Sequence, residues 1–327
     1  MALESDLPKI IVLNGTCLDV VDAHREWLAQ QPAEIVADPA HRELHPDDFL
    51  DAIKGADAVI GPVSTVVTAD ILKNAPDLKV YSLASSGFDT VDLDAATRLK
   101  KVVMNAPVQE MSEAVADMAF ALMLGVARTI PYHHAEMIQG RKTRGMGTML
   151  WKKTLGIVGL GNIGRAVACR AAGFQMRLLA TEPFPDKQFV RQYGVKLLTL
   201  DELLAESDFV SLHVRISPET TGMIGQRELG LMKSTAVIIN TARQDLIQED
   251  AVADAIERGQ IRGAGLDDPP LEGDSRLFDS PHVIFTPHLG NRALETCDAV
   301  FRQAVVNALD GLAGRKSSYI LNPQALE

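Results

Sequence analysis

The stretch TLGIVGL (154–160) runs directly into GNIG (161–164) and then into RAVACRAA (165–172). The first part is a short apolar run rich in β-branched residues, the signature of a buried strand. Gly159-Leu160-Gly161-Asn162-Ile163-Gly164 spells G-x-G-x-x-G, and a helical pattern over Arg165–Ala172 follows it. In that setting each glycine has a task. Gly159 permits the tight turn, Gly161 lets a backbone approach a pyrophosphate, and Gly164 allows close contact between helix and strand. The helix start offers unpaired N–H groups to the phosphates. Eighteen residues after Gly164, Glu182 closes the next apolar run, LLATEP (178–183). A carboxylate there accepts hydrogen bonds from ribose hydroxyls and repels a 2′-phosphate. Strand, turn, helix and acid together predict a dinucleotide site that takes NAD.

Outward from this motif the same alternation continues. Phe209–His213, Ala236–Asn240, Ile261–Leu266 and Val283–Thr286 read as further strands. Upstream, Lys9–Leu13, Ile35–Ala37, Ala58–Ile60 and Lys79–Leu83 are apolar runs separated by amphipathic stretches such as Pro46–Lys54 and Thr68–Ala75. Strands alternating with helices predict parallel sheets covered on both faces. The pattern restarts after Ser112–Thr129, an Ala- and Met-rich helix closed by Pro131, so two doubly wound α/β units are expected. Ala293–Leu312 carries apolar residues at helical spacing and is expected to fold back onto the first unit.

The chain has 327 residues, enough for two domains. Its 43 acidic against 32 basic residues leave a net charge of −11, which argues against a protein that coats nucleic acid or an anionic membrane. Cys17, Cys169 and Cys297 are far apart and form no CxxC pair, so neither a disulfide framework nor a metal site is expected. MALESDLPKIIVLNG (1–15) has no signal-peptide pattern, and Met118–Ala127 is too short to span a bilayer. A cytoplasmic protein is the expectation.

Three further residues each follow a strand: Arg243 after AVIINTA, Glu272 after GAGLDDPPL, and His288 after VIFTP. Residues at the carboxyl ends of strands line the ligand crevice of an open α/β sheet. With SSGFDTVDLDAA (85–96), EAVADMAFALML (113–124), LGIVGLGNIG (155–164), INTARQDLIQEDA (239–251), GAGLD (263–267) and FTPHLG (285–290) in this order, the chain resembles the D-isomer-specific 2-hydroxyacid dehydrogenases along nearly its whole length. The resemblance implies a flavodoxin-like substrate domain, 1–103 completed by 291–327, and a Rossmann NAD-binding domain, 104–290. It implies Arg243, Glu272 and His288 as the catalytic trio. Cofactor contacts are implied at Gly159, Gly161, Asn162, Ile163, Gly164, Glu182, His213, Val214, Thr241, Ala242, Arg243, Asp267, His288 and Gly290. The substrate carboxylate is implied to lie on Ser85, Ser86 and Gly87, together with Arg243 and His288. A homodimer through the Ser112–Thr129 helix is implied as well.

The chain also departs from the family pattern. Gln244 replaces the usual glycine after the arginine, and Asp268-Pro269-Pro270-Leu271-Glu272-Gly273 replaces a Val- and Glu-rich stretch. Arg215 follows His213-Val214 where a proline is usual, and bears on cofactor choice. Val80–Ala84 has no arginine to hold a phosphate, and the chain ends soon after the returning helix, which argues against phosphoglycerate as substrate. The basic stretch Arg141–Arg144 is expected to be a solvated loop. The reading is an NAD-dependent oxidoreductase that interconverts a small 2-oxo acid and its D-2-hydroxy acid. Its alternatives are an NAD-sensing, corepressor-like binding protein and a formate dehydrogenase-like enzyme. Glu272 counts against the second, which places Gln beside its histidine.

Overall fold

The computed structural model describes residues 7–13, 20–37, 46–61, 65–267 and 275–327. Cys17, Glu272 and the run 268–274 lie outside them. The chain divides into two compact units, Met1–Met111 with Arg292–Glu327, and Ser112–Asn291.

In the first unit β1 (Lys9–Val12), β2 (Glu34–Ala37), β3 (Ala58–Gly61), β4 (Val80–Leu83) and β5 (Val102–Met104) form a parallel sheet in the order β2-β1-β3-β4-β5. Alternate residues serve opposite faces. Ile10, Val12, Ile60 and Val80 meet Val300, Phe301, Ala304 and Ala308 of the returning helix, Leu294–Leu312. On the other face Ile11, Val59, Tyr81 and Val103 pack against Phe49, Ile71, Leu72 and Ala95. Strand β5 has three residues and escapes a reading by apolar runs. It is held by the C-terminal segment, where Asn322 accepts the Val103 N–H at 2.8 Å and donates to the Lys101 carbonyl at 2.8 Å. Residues past β5 stay with this unit: the Ala106 N–H donates to the Ser85 carbonyl at 2.8 Å, and Met111 is buried in its core.

The second unit holds seven parallel strands: β6 (Thr154–Val158), β7 (Arg177–Thr181), β8 (Lys196–Leu197), β9 (Phe209–Leu212), β10 (Val237–Asn240), β11 (Gly263–Leu266) and β12 (Val283–Phe285). Their order is β12-β11-β10-β9-β6-β7-β8. The chain winds one way from β6 through β7 to β8 and the other way from β9 to β12. The switch point therefore lies between β6 and β9, where open α/β sheets bind ligands. The central strands are buried on both faces, which is why they read as continuous apolar runs.

The Gln109–Arg128 helix lays Val115, Ala116, Ala119, Phe120, Leu122, Met123 and Val126 into the core of its own unit, with Met118 and Leu124 partly buried. Pro131 does more than close it. Thr129 turns at φ +50°, and Pro131 sits in the first turn of a new helix, Ile130–Ile138, set at 62° to the first. Arg141–Arg144 is exposed coil, in which Arg141 pairs with Glu136. Among the described residues no single helix is long and apolar enough to cross a membrane.

Candidate active site

Parallel register brings distant parts of the sequence to one edge of the second sheet. Val158 pairs with Leu212, Leu212 with Asn240, Asn240 with Leu266, and Leu266 with Phe285. The residues that follow these strand ends are Gly159, His213, Thr241, Asp267 and Thr286, with His288 two residues beyond the last.

At the glycine turn the backbone is crowded at Gly159 and Gly164 and open at Gly161. Gly159 has φ +92°, and a Cβ there would lie 2.7 Å from the His213 carbonyl oxygen. A Cβ on Gly164 would lie 2.1 Å from the Gly159 oxygen, so helix and turn touch backbone to backbone. A Cβ on Gly161 would meet nothing within 4 Å, which leaves room for a phosphate. Asn162 opens the Asn162–Ala171 helix, and Ile163 packs against the core. Glu182, just past β7, accepts the Leu160 N–H at 2.9 Å and the Phe184 N–H at 3.0 Å. Its carboxylate is thus tied to the glycine turn itself. Arg165, which spacing alone did not single out, donates to Asn162 Oδ1 at 2.8 Å and to Asp186 at 3.2 Å. It places a cation in the first turn of the Asn162–Ala171 helix.

Beyond β9, His213 shares a hydrogen bond of 2.8 Å between Nε2 and the Ser211 hydroxyl. Burial pushes its pKa down to about 3, so the ring is neutral at pH 7. Its Nδ1 is buried without a hydrogen-bond partner, and so is Thr241 Oγ1 on the neighbouring strand end. A buried unsatisfied polar atom costs roughly 1–3 kcal/mol, so two side by side are a place where a ligand's polar groups belong. Val214 lies against the glycine turn, its Cγ1 2.9 Å from where a Gly159 Cβ would be. These residues fit a bound dinucleotide.

Past β10, Asn240 is 4% exposed and organises the arginine loop. Its Oδ1 accepts the Ala242 N–H at 3.0 Å, its Nδ2 donates to the Arg243 carbonyl at 2.7 Å, and its own carbonyl accepts the Asp267 N–H at 2.9 Å. Arg243 is half-buried, with Nη1 donating to the Ala242 carbonyl at 2.8 Å. Asp267, 3% exposed, carries the frame onward: it accepts the Thr286 hydroxyl, the Leu289 N–H at 2.8 Å and the Gly290 N–H at 2.6 Å. Between those anchors His288 adopts φ +54° and is an exposed residue. One hydrogen-bonded frame therefore runs from the arginine loop through Asn240 and Asp267 to the histidine loop. Asn240 was missed in the sequence because only the strand register reveals what it touches.

Ser85, Ser86 and Gly87 belong to the first unit. Ser85 Oγ donates to the Gly87 carbonyl at 2.8 Å, and Asn105 holds the Ser86 carbonyl at 2.7 Å. The loop is thereby fixed from both sides.

Comparison with known proteins agrees with this geometry. A family model described as D-isomer specific 2-hydroxyacid dehydrogenase, NAD binding domain, matches residues 120–290. The chain belongs to the D-isomer specific 2-hydroxyacid dehydrogenases. Its cofactor is NAD. The chain is 40% identical over 272 residues to a D-3-phosphoglycerate dehydrogenase of Mycobacterium tuberculosis, covering 82% of this chain and 51% of the relative. It is 32% identical over 312 residues to a glyoxylate reductase of Pyrococcus furiosus, covering 92% of each. The apo D-lactate dehydrogenase of Escherichia coli superposes with a TM-score of 0.85 at 27% identity, over 96% of this chain and 99% of that one. The chain spans about half the length of the phosphoglycerate dehydrogenases it matches.

Proposed function

We propose that the protein reduces a small 2-oxo acid to its D-2-hydroxy acid with NADH, and catalyses the reverse reaction with NAD. The observation that carries this reading is the single frame, Asn240 with Asp267, that holds the Arg243 and His288 loops beside the glycine turn. A bound nicotinamide supplies the hydride chemistry. The planar, doubly donating guanidinium of Arg243 suits a carboxylate beside a polarised carbonyl. His288 gives a proton to the carbonyl oxygen in reduction and takes it back in oxidation. Glu272, outside the described residues, is the proposed partner that keeps His288 protonated. This pairing rests on its offset from Asp267 in the sequence. The backbone of Ser85–Gly87 is the proposed second anchor for the carboxylate.

Strand β4 is buried throughout and holds no cation, which supports an acid without a phosphate. The deciding assay is NADH oxidation with glyoxylate, pyruvate, hydroxypyruvate and the oxidised form of 3-phosphoglycerate. Turnover of one of the first three supports the proposal. A preference for the phosphorylated acid overturns the substrate class, and a chain inert to all four overturns the enzyme reading. A homodimer is part of the proposal. The Gln109–Arg128 helix is already covered by its own unit, so the support comes from the segment that follows. There Ile130, Met137, Ile138, Met146, Met149 and Trp151 are all at least half exposed. Exposed apolar side chains in this number support an interaction surface. Light scattering that gives about 35 kDa at all dilutions refutes the dimer.

A further inference from the structure

The edge of the second sheet opposite the cofactor carries a feature that the dehydrogenase reaction does not use. A cavity of about 180 Å³ lies at the amino ends of β6, β9, β10 and β11, lined by Thr148, Lys153, Asp208, Thr235 and Arg262. These four strands are consecutive in the sheet, so residues that precede each of them converge. The segment at 146–148 is tied down over them: the Thr148 N–H donates to the Ala127 carbonyl at 2.8 Å, and Arg262 Nη2 donates to the Met146 carbonyl at 2.8 Å.

The charges do not cancel. Asp208 accepts the Thr154 N–H at 2.9 Å through one oxygen and Lys233 at 3.0 Å through the other. Burial alone would raise its pKa, but those two bonds and the nearby Lys153 outweigh it, so Asp208 is ionised and neutralised by Lys233. Lys153 and Arg262 then remain as two positive charges on one small cavity, in a chain whose net charge is −11. The Nε–H of Arg262 is buried without a hydrogen-bond partner. Nearby, His282 Nδ1 is also buried and unpartnered. Burial, together with the charge of Arg262, lowers the His282 pKa, so this ring adds no charge beside Arg262 at pH 7.

We propose that this cavity is a phosphate site, remote from the catalytic edge, in which Arg262 and Lys153 bind a phosphoryl dianion and Thr148 and Thr235 donate their hydroxyls to it. Two cations and two hydroxyls match the charge and the oxygens of a tetrahedral dianion. Pockets for drug-sized ligands run to roughly 300–1,000 Å³, so about 180 Å³ suits the phosphoryl group alone rather than a nucleotide.

The test is calorimetric titration of inorganic phosphate into the NADH-saturated protein at constant ionic strength, because NADH blocks the glycine turn and salt would mimic a charge effect. Saturable binding is expected, weakened by at least about tenfold in Lys153→Met, the loss of one charge-assisted contact. Arg262→Ala should abolish it, while NADH affinity is unchanged in both variants. Lys153→Met leaves the Arg262 bond to Met146 in place, so its result does not depend on whether the 146–148 segment stays docked. A phosphate monoester that competes fully points to a small phosphorylated metabolite, and one that does not points to the free ion; either result supports the site. No saturable binding to the wild-type protein, or wild-type affinity in Lys153→Met, overturns the proposal. The measurement needs only cofactor binding, so it stands apart from the choice of 2-oxo acid.

Discussion

Replacing Asp267 with Asn tests whether the frame behind the Arg243 and His288 loops is what holds His288. The side chain is 3% exposed and its oxygens accept three donors: the Thr286 hydroxyl, Leu289 N–H at 2.8 Å and Gly290 N–H at 2.6 Å. Asn has nearly the same shape, but one of its two ends is a donor. Whichever way the amide turns, an NH₂ group faces a backbone N–H, and that buried donor is left unpaired. Losing a charge-assisted bond costs roughly 1.5–3 kcal/mol, and stranding a buried N–H costs roughly 1–3 kcal/mol more. Some of this is recovered by the bonds that survive, so the expected loss is about 3 kcal/mol, or a hundredfold change in an equilibrium. Urea unfolding of the cofactor-free protein measures it without any contribution from nicotinamide contacts. The companion measurement is kcat for 2-oxo acid reduction, expected to fall by about a hundredfold as the histidine loop loses its fixed position. If Asp267→Asn unfolds within about 0.5 kcal/mol of wild type and keeps near-normal kcat, the carboxylate does not carry this loop.

Arg243→Lys keeps the charge but not the planar fork, and kcat/KM should fall at least about a hundredfold with NADH affinity nearly unchanged; near-normal activity would move the carboxylate anchor elsewhere. Because the Glu182 carboxylate sits on the glycine turn, kcat/KM should favour NAD over NADP, and Glu182→Gln should narrow that ratio while weakening NAD through the lost Leu160 and Phe184 contacts. A wild-type preference for NADP refutes this. His213 is held neutral down to about pH 3, whereas in the unfolded chain it takes up a proton near its ordinary value of 6.5. Between those limits the unfolded state binds the extra proton, so stability falls as pH drops below 6.5 and is insensitive to this group above it. In urea melts from pH 7 to pH 4.5, His213→Asn should show the shallower decline, and parallel curves would mean that the imidazole is not excluded from protonation.

What was legible in the sequence, and what was not, divides along a physical line. The glycine turn declared itself because its constraints are local: a left-handed Gly159 and the contact between Gly164 and the Gly159 oxygen involve residues five apart. Buried central strands declared themselves because both faces are apolar, whereas β8, of two exposed residues, is too short to form a pattern. The helix after Thr129 was hidden by Pro131, which ends a helix when met in its interior but is at home in a first turn. The site itself is non-local. Asn240 and Asp267 are ordinary strand-end residues until parallel register sets β10 beside β11, and Asp267 and Gly290 have no relation in sequence that predicts 2.6 Å between them. For the same reason His288 could be placed after a strand but not given its left-handed backbone, beside which Asp267 accepts the Leu289 and Gly290 amides. The side chains proposed to carry the chemistry therefore stand out in the sequence more readily than the residues that aim them. The roles proposed for Arg243 and His288 need their particular side chains, while the frame behind them needs only a buried donor and acceptor at the right register.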